Sequence, residues 1–275
     1  MSICSIWTVR VMLLLGSALF LVFLLVSRSW VTAAWWAPSL GLFDLGEGIT
    51  MASYAAASYC SSDTLVNWTC DRCNTERVEA FIPSAVIYDK AWNLQAYVGY
   101  APELSFSLSS SFSASSSGAI LVVFRGTKSS SLINWVHNLM ASTTRVKYPN
   151  MPDDATVHDG FYRSWTRSSL QKEVIAAVQA IQAERGAEVP VVVIGHSLGG
   201  ALATLCAAEL VTEYNLTGVR LYTFGCPRVG NEEFAKALHN TSLVNTRVTH
   251  DRDIVPSVPF RDLGFHHTVG PEQIT

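Results

Sequence analysis

The polarity pattern divides the chain into elements before any single residue is considered. Residues 45–59 (LGEGITMASYAAASY) are Ala-rich and lack proline, which predicts a helix. In 91–101, Leu94, Ala96, Val98 and Tyr100 alternate with other residues, a strand signal. Residues 119–124 (AILVVF) form a continuous apolar run, as expected of a strand covered on both faces. Between these two strands, 103–118 carries nine serines in 16 residues, too polar for a core and flanked by strand-like sequence, so it reads as a loop or hairpin tip. Leu170, Val174, Ala177, Val178 and Ile181 recur at helical spacing inside 164–185, and Gly186 is placed to stop that helix. A second buried strand, VPVVVIG (189–195), precedes a helix from Leu198 to Tyr214. Two more strands follow at 219–225 and 243–250, with a short helix near 232–238 between them. Strands alternating with helices predict a mostly parallel central sheet with helices on both faces. No internal repeat is visible, and 275 residues suit one α/β domain, from about residue 35 to the end.

The first 34 residues have a different character. Arg10 precedes 16 uncharged residues, 11–26, a length between that of a signal-peptide core and that of a bilayer span. Val31-Thr32-Ala33 supplies small residues where a signal peptidase would cut. The expectation is a signal peptide or a signal anchor over 1–34, with the remaining domain, 35–275, outside the cytosol: secreted, or held to a membrane through 11–26. Three glycosylation sequons, at Asn67, Asn215 and Asn240, agree with that compartment. So does the cluster Cys60, Cys70 and Cys73, which reads as a disulfide staple with one sulfur left over. A zinc site is the competing reading, but it needs a fourth ligand and no further Cys or His is near in sequence. Cys206 and Cys226, in apolar surroundings, are expected to be buried thiols. With charged residues at 15%, a net charge of −3 and no basic run, neither disorder nor nucleic-acid binding is expected.

The chemistry concentrates at Gly195-His196-Ser197-Leu198-Gly199-Gly200. This Gly-x-Ser-x-Gly follows a strand and opens a helix, so a serine there is held on a sharp turn with its hydroxyl above the end of the sheet. The bland alternative is a Ser/Gly turn that only caps the helix. A serine hydroxyl needs an imidazole to take its proton and a carboxylate to orient the imidazole. Both appear later in that order: DRDIVPSVP (251–259) and then GFHHTVGPE (264–272).

At this point a resemblance can be stated. GHSLGG (195–200), VVFRGT (122–127), VHDGFY (157–162), TFGCPRVGN (223–231) and DIVPSVP (253–259) are similar, in the same order, to motifs of the class 3, fungal-type triacylglycerol lipase family. The resemblance covers about 84–272. It implies an α/β-hydrolase fold and hydrolysis of carboxylic esters. It places the nucleophile at Ser197, the triad acid at Asp253 (Asp251 lies two residues outside the motif) and the base at His267, with His266 as the neighbouring alternative. The oxyanion hole is expected at Thr127 and at the N–H of Leu198. Arg125 is expected in a structural ion pair near the site. Residues 129–140 (SSSLINWVHNLM) match the family's lid, with Leu132, Ile133, Val136, Leu139 and Met140 as one apolar face, although a connecting helix packed on the core wants the same face. The implied partner is a lipid ester at an oil–water or membrane interface. No cofactor, metal or nucleic acid is implied, and a monomer is expected. The rival readings are an esterase or phospholipase A1 of the same fold, and a non-catalytic lipid-binding surface protein.

Overall fold

The computed structural model describes residues 43–104, 118–128 and 142–268, and the backbone of 272–274. The leader at 1–34, residues 105–117 of the serine-rich segment and the lid segment 129–140 lie outside the described residues. Among the described residues, no helix is long and apolar enough to cross a membrane.

Seven strands form the central sheet in the order β1 (Ile82–Asp89), β2 (Leu94–Ala101), β3 (Ala119–Phe124), β6 (Val191–His196), β7 (Val219–Phe224), β8 (Val244–Thr249) and β9 (Glu272–Ile274). β1, β2 and β3 pair antiparallel, and from β3 onward every pairing is parallel. A separate ribbon pairs β4 (Thr143–Arg145) with β5 (Thr156–His158). This is the expected α/β-hydrolase architecture with an antiparallel edge that the apolar pattern did not announce. β1 was invisible because only Ile87 in it is buried and Pro83 interrupts it, at a register shift against β2. β2 alternates in sequence, yet its residues other than Tyr100 are buried, because helices cover both its faces.

Two apolar clusters flank the sheet. One holds β3, β6 and β7 side chains against α3 (Asp159–Thr166), α4 (Leu170–Arg185) and α5 (Leu198–Thr212). The other packs the opposite sheet face against α1 (Leu45–Ala57) and α2 (Ser62–Val66). β3 is buried along its whole length, which explains its unbroken apolar sequence. α5 runs through the interior with nearly every residue buried, so its sequence carries no polar stripe. α6 (Glu232–His239) starts at an Asn231 cap whose Oδ1 accepts from the Phe234 N–H.

The single helix expected over 164–185 is two helices. Thr166 ends α3, and α4 begins only at Leu170. The Ser169 N–H is taken by Asp89 Oδ2 at 2.9 Å, and Ser168 Oγ bonds back to the Ser164 carbonyl, so local hydroxyl and long-range carboxylate contacts compete with the helical ladder there. Gly186 does stop α4, at φ 109°. Cys70 and Cys73 form the disulfide, which takes two sulfurs away from the zinc reading, and Cys60 is a free thiol. Cys206 and Cys226 are buried thiols. Asn67, Asn215 and Asn240 are all exposed.

Candidate active site

Ser197 stands between β6 and α5 at φ 55°, ψ −126°, a conformation L-residues avoid. Its N–H is held by the Phe224 carbonyl at 2.9 Å, and the neighbouring glycines remove the obstacles to the turn. A Cβ on Gly195 would run into the backbone of Gly199 and Gly200, and one on Gly199 into the backbone of Phe124 and Arg125. The elbow therefore sits directly against the end of β3. A Cβ on Gly126 would meet the His196 carbonyl oxygen and come within 3.1 Å of Ser197 Cβ. Ser197 is 2% exposed, and its Oγ makes no hydrogen bond. Thr127 Oγ1, on the adjoining segment, is also buried without a partner. Ser197 is itself the N-cap of a 15-residue helix, whose first N–H groups and dipole favour negative charge.

His196 is clamped from the other side. Its Nδ1 lies 2.6 Å from the Tyr59 hydroxyl, and burial lowers its pKa against the opposing pull of Asp253. Sequence reasoning missed Tyr59. It is 137 positions away from His196, and nothing in the local pattern marks it.

Asp253 follows β8 and is half-buried. Its Oδ1 accepts from the Val255 N–H at 2.9 Å. Its Oδ2 occupies space that a side chain at residue 225 would take: a Cβ on Gly225, at φ 55°, would come within 2.5 Å of it. Asp251 is fully on the outside and pairs with the exposed Arg252. Both acids line a polar cavity of about 530 Å³, together with His266, His267, Arg228 and Arg247.

The histidine loop is fastened at several points. The His266 N–H donates to the Gly230 carbonyl at 2.7 Å, Phe265 is fully buried beside His158, and β9 pairs with β8 just beyond. The motifs VHDGFY and TFGCPRVGN meet here, since Gly230 also bridges to Val157. The His267 ring is engaged elsewhere than at the serine: its Nε2 lies 2.8 Å from the Pro256 carbonyl oxygen. In this arrangement burial, and next the nearby Arg247 guanidinium, push its pKa down to about 3.

The depressed imidazoles have a thermodynamic consequence. Between pH 6.5 and about 3 the unfolded chain binds a proton at residue 267 that the folded chain does not. Stability is therefore complete above pH 6.5 and falls as the pH drops, by up to about 1.4 kcal/mol per pH unit for each such imidazole. Denaturant midpoints measured from pH 7.5 to 4 should fall steadily, and His267→Gln should flatten the slope. A midpoint unchanged between pH 7 and 5 contradicts this assignment.

The expected ion pair of Arg125 is not formed. Arg125 is 4% exposed, and its partners are neutral: the Asn93 carbonyl at 2.7 Å, Asn93 Oδ1 at 3.1 Å, Gln95 Oε1 at 3.5 Å and the Tyr88 ring. No carboxylate among the described residues lies within ion-pair reach of it, and the side chains it meets before and at the start of β2, Asn93 and Gln95, are amides.

A mostly parallel sheet with a strained serine on the strand-to-helix elbow, and acid and imidazole groups on the loops after later strands, defines an α/β-hydrolase. The family model "Lipase (class 3)" matches residues 121–263, just over half of the chain, and the chain belongs to that family. Among curated relatives, a Rhizomucor miehei lipase is 39% identical over 151 residues, 54% of this chain and 39% of that protein. Secreted mono- and diacylglycerol lipase A of Penicillium cyclopium is 31% identical over 223 residues, 80% of this chain and 66% of that protein. The chain thus spans about two fifths to two thirds of the length of these relatives. Among solved structures, Rhizopus niveus lipase II superposes with TM-score 0.70 at 29% identity, covering 83% of this chain and 79% of that one. A triacylglycerol lipase whose catalytic centre is a serine protease triad superposes with TM-score 0.69 at 31% identity, over 84% and 79% of the two chains.

Proposed function

We propose that this protein hydrolyses carboxylic esters of acylglycerols through an acyl-serine at Ser197. The observation that carries the reading is the elbow: a buried hydroxyl on a strained backbone, free of hydrogen bonds, at a helix start and against the β3 end that supplies Thr127. In the proposed cycle the His267 imidazole accepts the Ser197 proton as Oγ attacks the ester carbonyl. The N–H groups of Thr127 and Leu198, with the Thr127 hydroxyl, stabilise the oxyanion. Asp253 orients the imidazole and balances its charge. The imidazolium then protonates the departing glycerol oxygen, and water repeats the sequence on the acyl-serine to release the fatty acid. For this to happen His267 exchanges its Pro256 contact for Ser197, so the resting geometry is a precursor rather than the reactive one.

The lipid character of the substrate is supported by an apolar recess of about 250 Å³ beside His196, walled by the α1 alanines 52, 55 and 56, Phe224, Tyr59 and Arg72. It is also supported by the mono- and diacylglycerol lipases among the relatives. Those relatives are secreted, which agrees with a secretory leader, exposed sequons and a disulfide. We further take the protein to work as a monomer at an interface, with residues 129–140 as its lid. Rates on emulsified triolein and on a soluble short-chain ester, below and above the point where an interface forms, test the assignment. A lipase gains rate on the emulsion. Equal rates on the soluble ester at all concentrations favour the esterase reading, and no labelling by a fluorophosphonate probe favours the non-catalytic one.

A further inference from the structure

The Tyr59 hydroxyl sits where two parts of the site meet. Tyr59 follows α1 and is half-buried, with its ring edge-on to His196 at 5.8 Å between centres. Its Oη lies 2.6 Å from His196 Nδ1 and also takes the backbone N–H of Gly126. A Cβ on Gly126 would run into that oxygen, so the fit is tight. His196 directly precedes Ser197, and Gly126 directly precedes Thr127. One oxygen from outside the central sheet therefore joins the residue before the nucleophile to the residue before the oxyanion position. Phenylalanine would fill the same space, but it would deprive the Gly126 N–H and Nδ1 of this partner.

The same contacts fix where the protons are. Burial raises the pKa of the phenol and lowers that of His196, so both groups are neutral near pH 7. A phenol has one proton to give. Its oxygen already accepts from Gly126, so the O–H donates to Nδ1; an Nδ1–H facing Oη would turn the phenol proton away from its nearest acceptor. The imidazole proton then resides on Nε2. That atom comes within 3.9 Å of the Cβ position that Gly225 leaves empty, and Asp253 Oδ2 comes within 2.5 Å of the same point. With glycine at 225, the carboxylate and the Nε2–H border a shared gap, where charge on one is felt by the other. The remaining charged side chains nearby are Arg72, in the wall of the recess beside His196, and Arg125, beside Tyr59; both act on the phenol.

We propose that Tyr59 and His196 are positioning residues for ester cleavage: the phenol hydroxyl sets the spacing of Thr127 and Ser197, and the Nε2–H of His196 steadies the ionised Asp253. This rests on the reading of Ser197 as the nucleophile, and it assigns a role to two side chains outside the triad and the oxyanion hole.

Nitrogen NMR of the whole chain with labelled histidine reads the tautomer without any turnover. The proposal expects the His196 proton on Nε2 at neutral pH and a shift toward Nδ1–H in Tyr59→Phe. It also expects a lower His196 pKa in Asp253→Asn, where the carboxylate that favours the imidazolium is gone. A wild-type His196 protonated on Nδ1, or the same His196 pKa in wild type and Asp253→Asn, overturns it, and these two spectra decide the matter even if Tyr59→Phe does not fold. On a soluble short-chain ester, Tyr59→Phe is expected to lower kcat on the order of ten- to a hundredfold with KM nearly unchanged, the signature of lost alignment in the transition state. His196→Asn, whose Oδ1 can accept from Tyr59 in place of Nδ1, should recover part of the rate that His196→Leu loses. Rates are taken well below the melting temperature of each variant. Full kcat in folded Tyr59→Phe, or equal rates for the Asn and Leu variants, means that the contact only packs the fold. The tautomer is read in the resting protein, so turnover that survives Ser197→Ala would remove the Ser197 reading and the positioning role with it, while the Tyr59–His196 hydrogen bond stands.

Discussion

Ser197→Ala is expected to abolish fluorophosphonate labelling and to lower ester turnover by on the order of 10³-fold or more, with almost no change in stability. The first half follows from the mechanism: without Oγ there is no acyl-enzyme, and only oxyanion stabilisation and binding remain. The second half follows from the structure. Oγ makes no hydrogen bond, so its removal strands no partner, and alanine at φ 55° is no more strained than serine. The two halves must be measured together, by labelling and by denaturant unfolding of the same preparation. A variant that loses activity because it unfolds says nothing about the nucleophile. Turnover within tenfold of wild type, in a folded variant, ends the proposed mechanism.

Trp165→Ala should be the most destabilising single change in the core, by about 3–5 kcal/mol from lost packing alone. Trp165 is fully buried, stands edge-on to Phe124 with ring centres 5.7 Å apart, and donates its indole N–H to Glu209 Oε2 at 2.7 Å. Glu209 is buried on α5, where burial raises its pKa and donors oppose that rise. Gln171 supplies a further donor, reaching both carboxylate oxygens at 3.0 and 2.8 Å. Truncating the tryptophan therefore opens a cavity and also deprives a buried carboxylate of a hydrogen bond. Trp165→Phe separates the two effects: it keeps most of the ring and should cost only about 1–3 kcal/mol, the penalty of the unsatisfied carboxylate. Because the donor stabilises the ionised form, the gap between wild type and Trp165→Phe should narrow as the pH falls and Glu209 takes up its proton. Unfolding of both variants at pH 7 and at pH 5 checks the sign. An alanine variant within 1 kcal/mol of wild type refutes this account of the core.

Phe124 and Ser197 show how far the linear sequence reaches. AILVVF and VVVIG are uninterrupted apolar runs because both faces of β3 and β6 are covered, and that burial is recorded residue by residue. The elbow is equally local: strand, Gly-x-Ser-x-Gly and helix are contiguous, so the backbone that strains Ser197 is written within six residues. β1 escaped because a half-exposed edge strand with a proline leaves no periodic trace. The break between α3 and α4 escaped because part of its cause, Asp89, is 80 positions away from Ser169.

The sequence by itself determined the class of fold, the order of its central elements and the position of the serine, since each depends on burial and backbone geometry over a few neighbouring residues. Only the tertiary structure decided that Tyr59 holds His196, that His267 rests on Pro256, and that Arg125 is buried without a carboxylate. Those facts concern which side chain meets which across the folded chain. Hydrogen bonds and charges act over a few ångströms in space, whatever the distance along the sequence, so no local pattern can announce them.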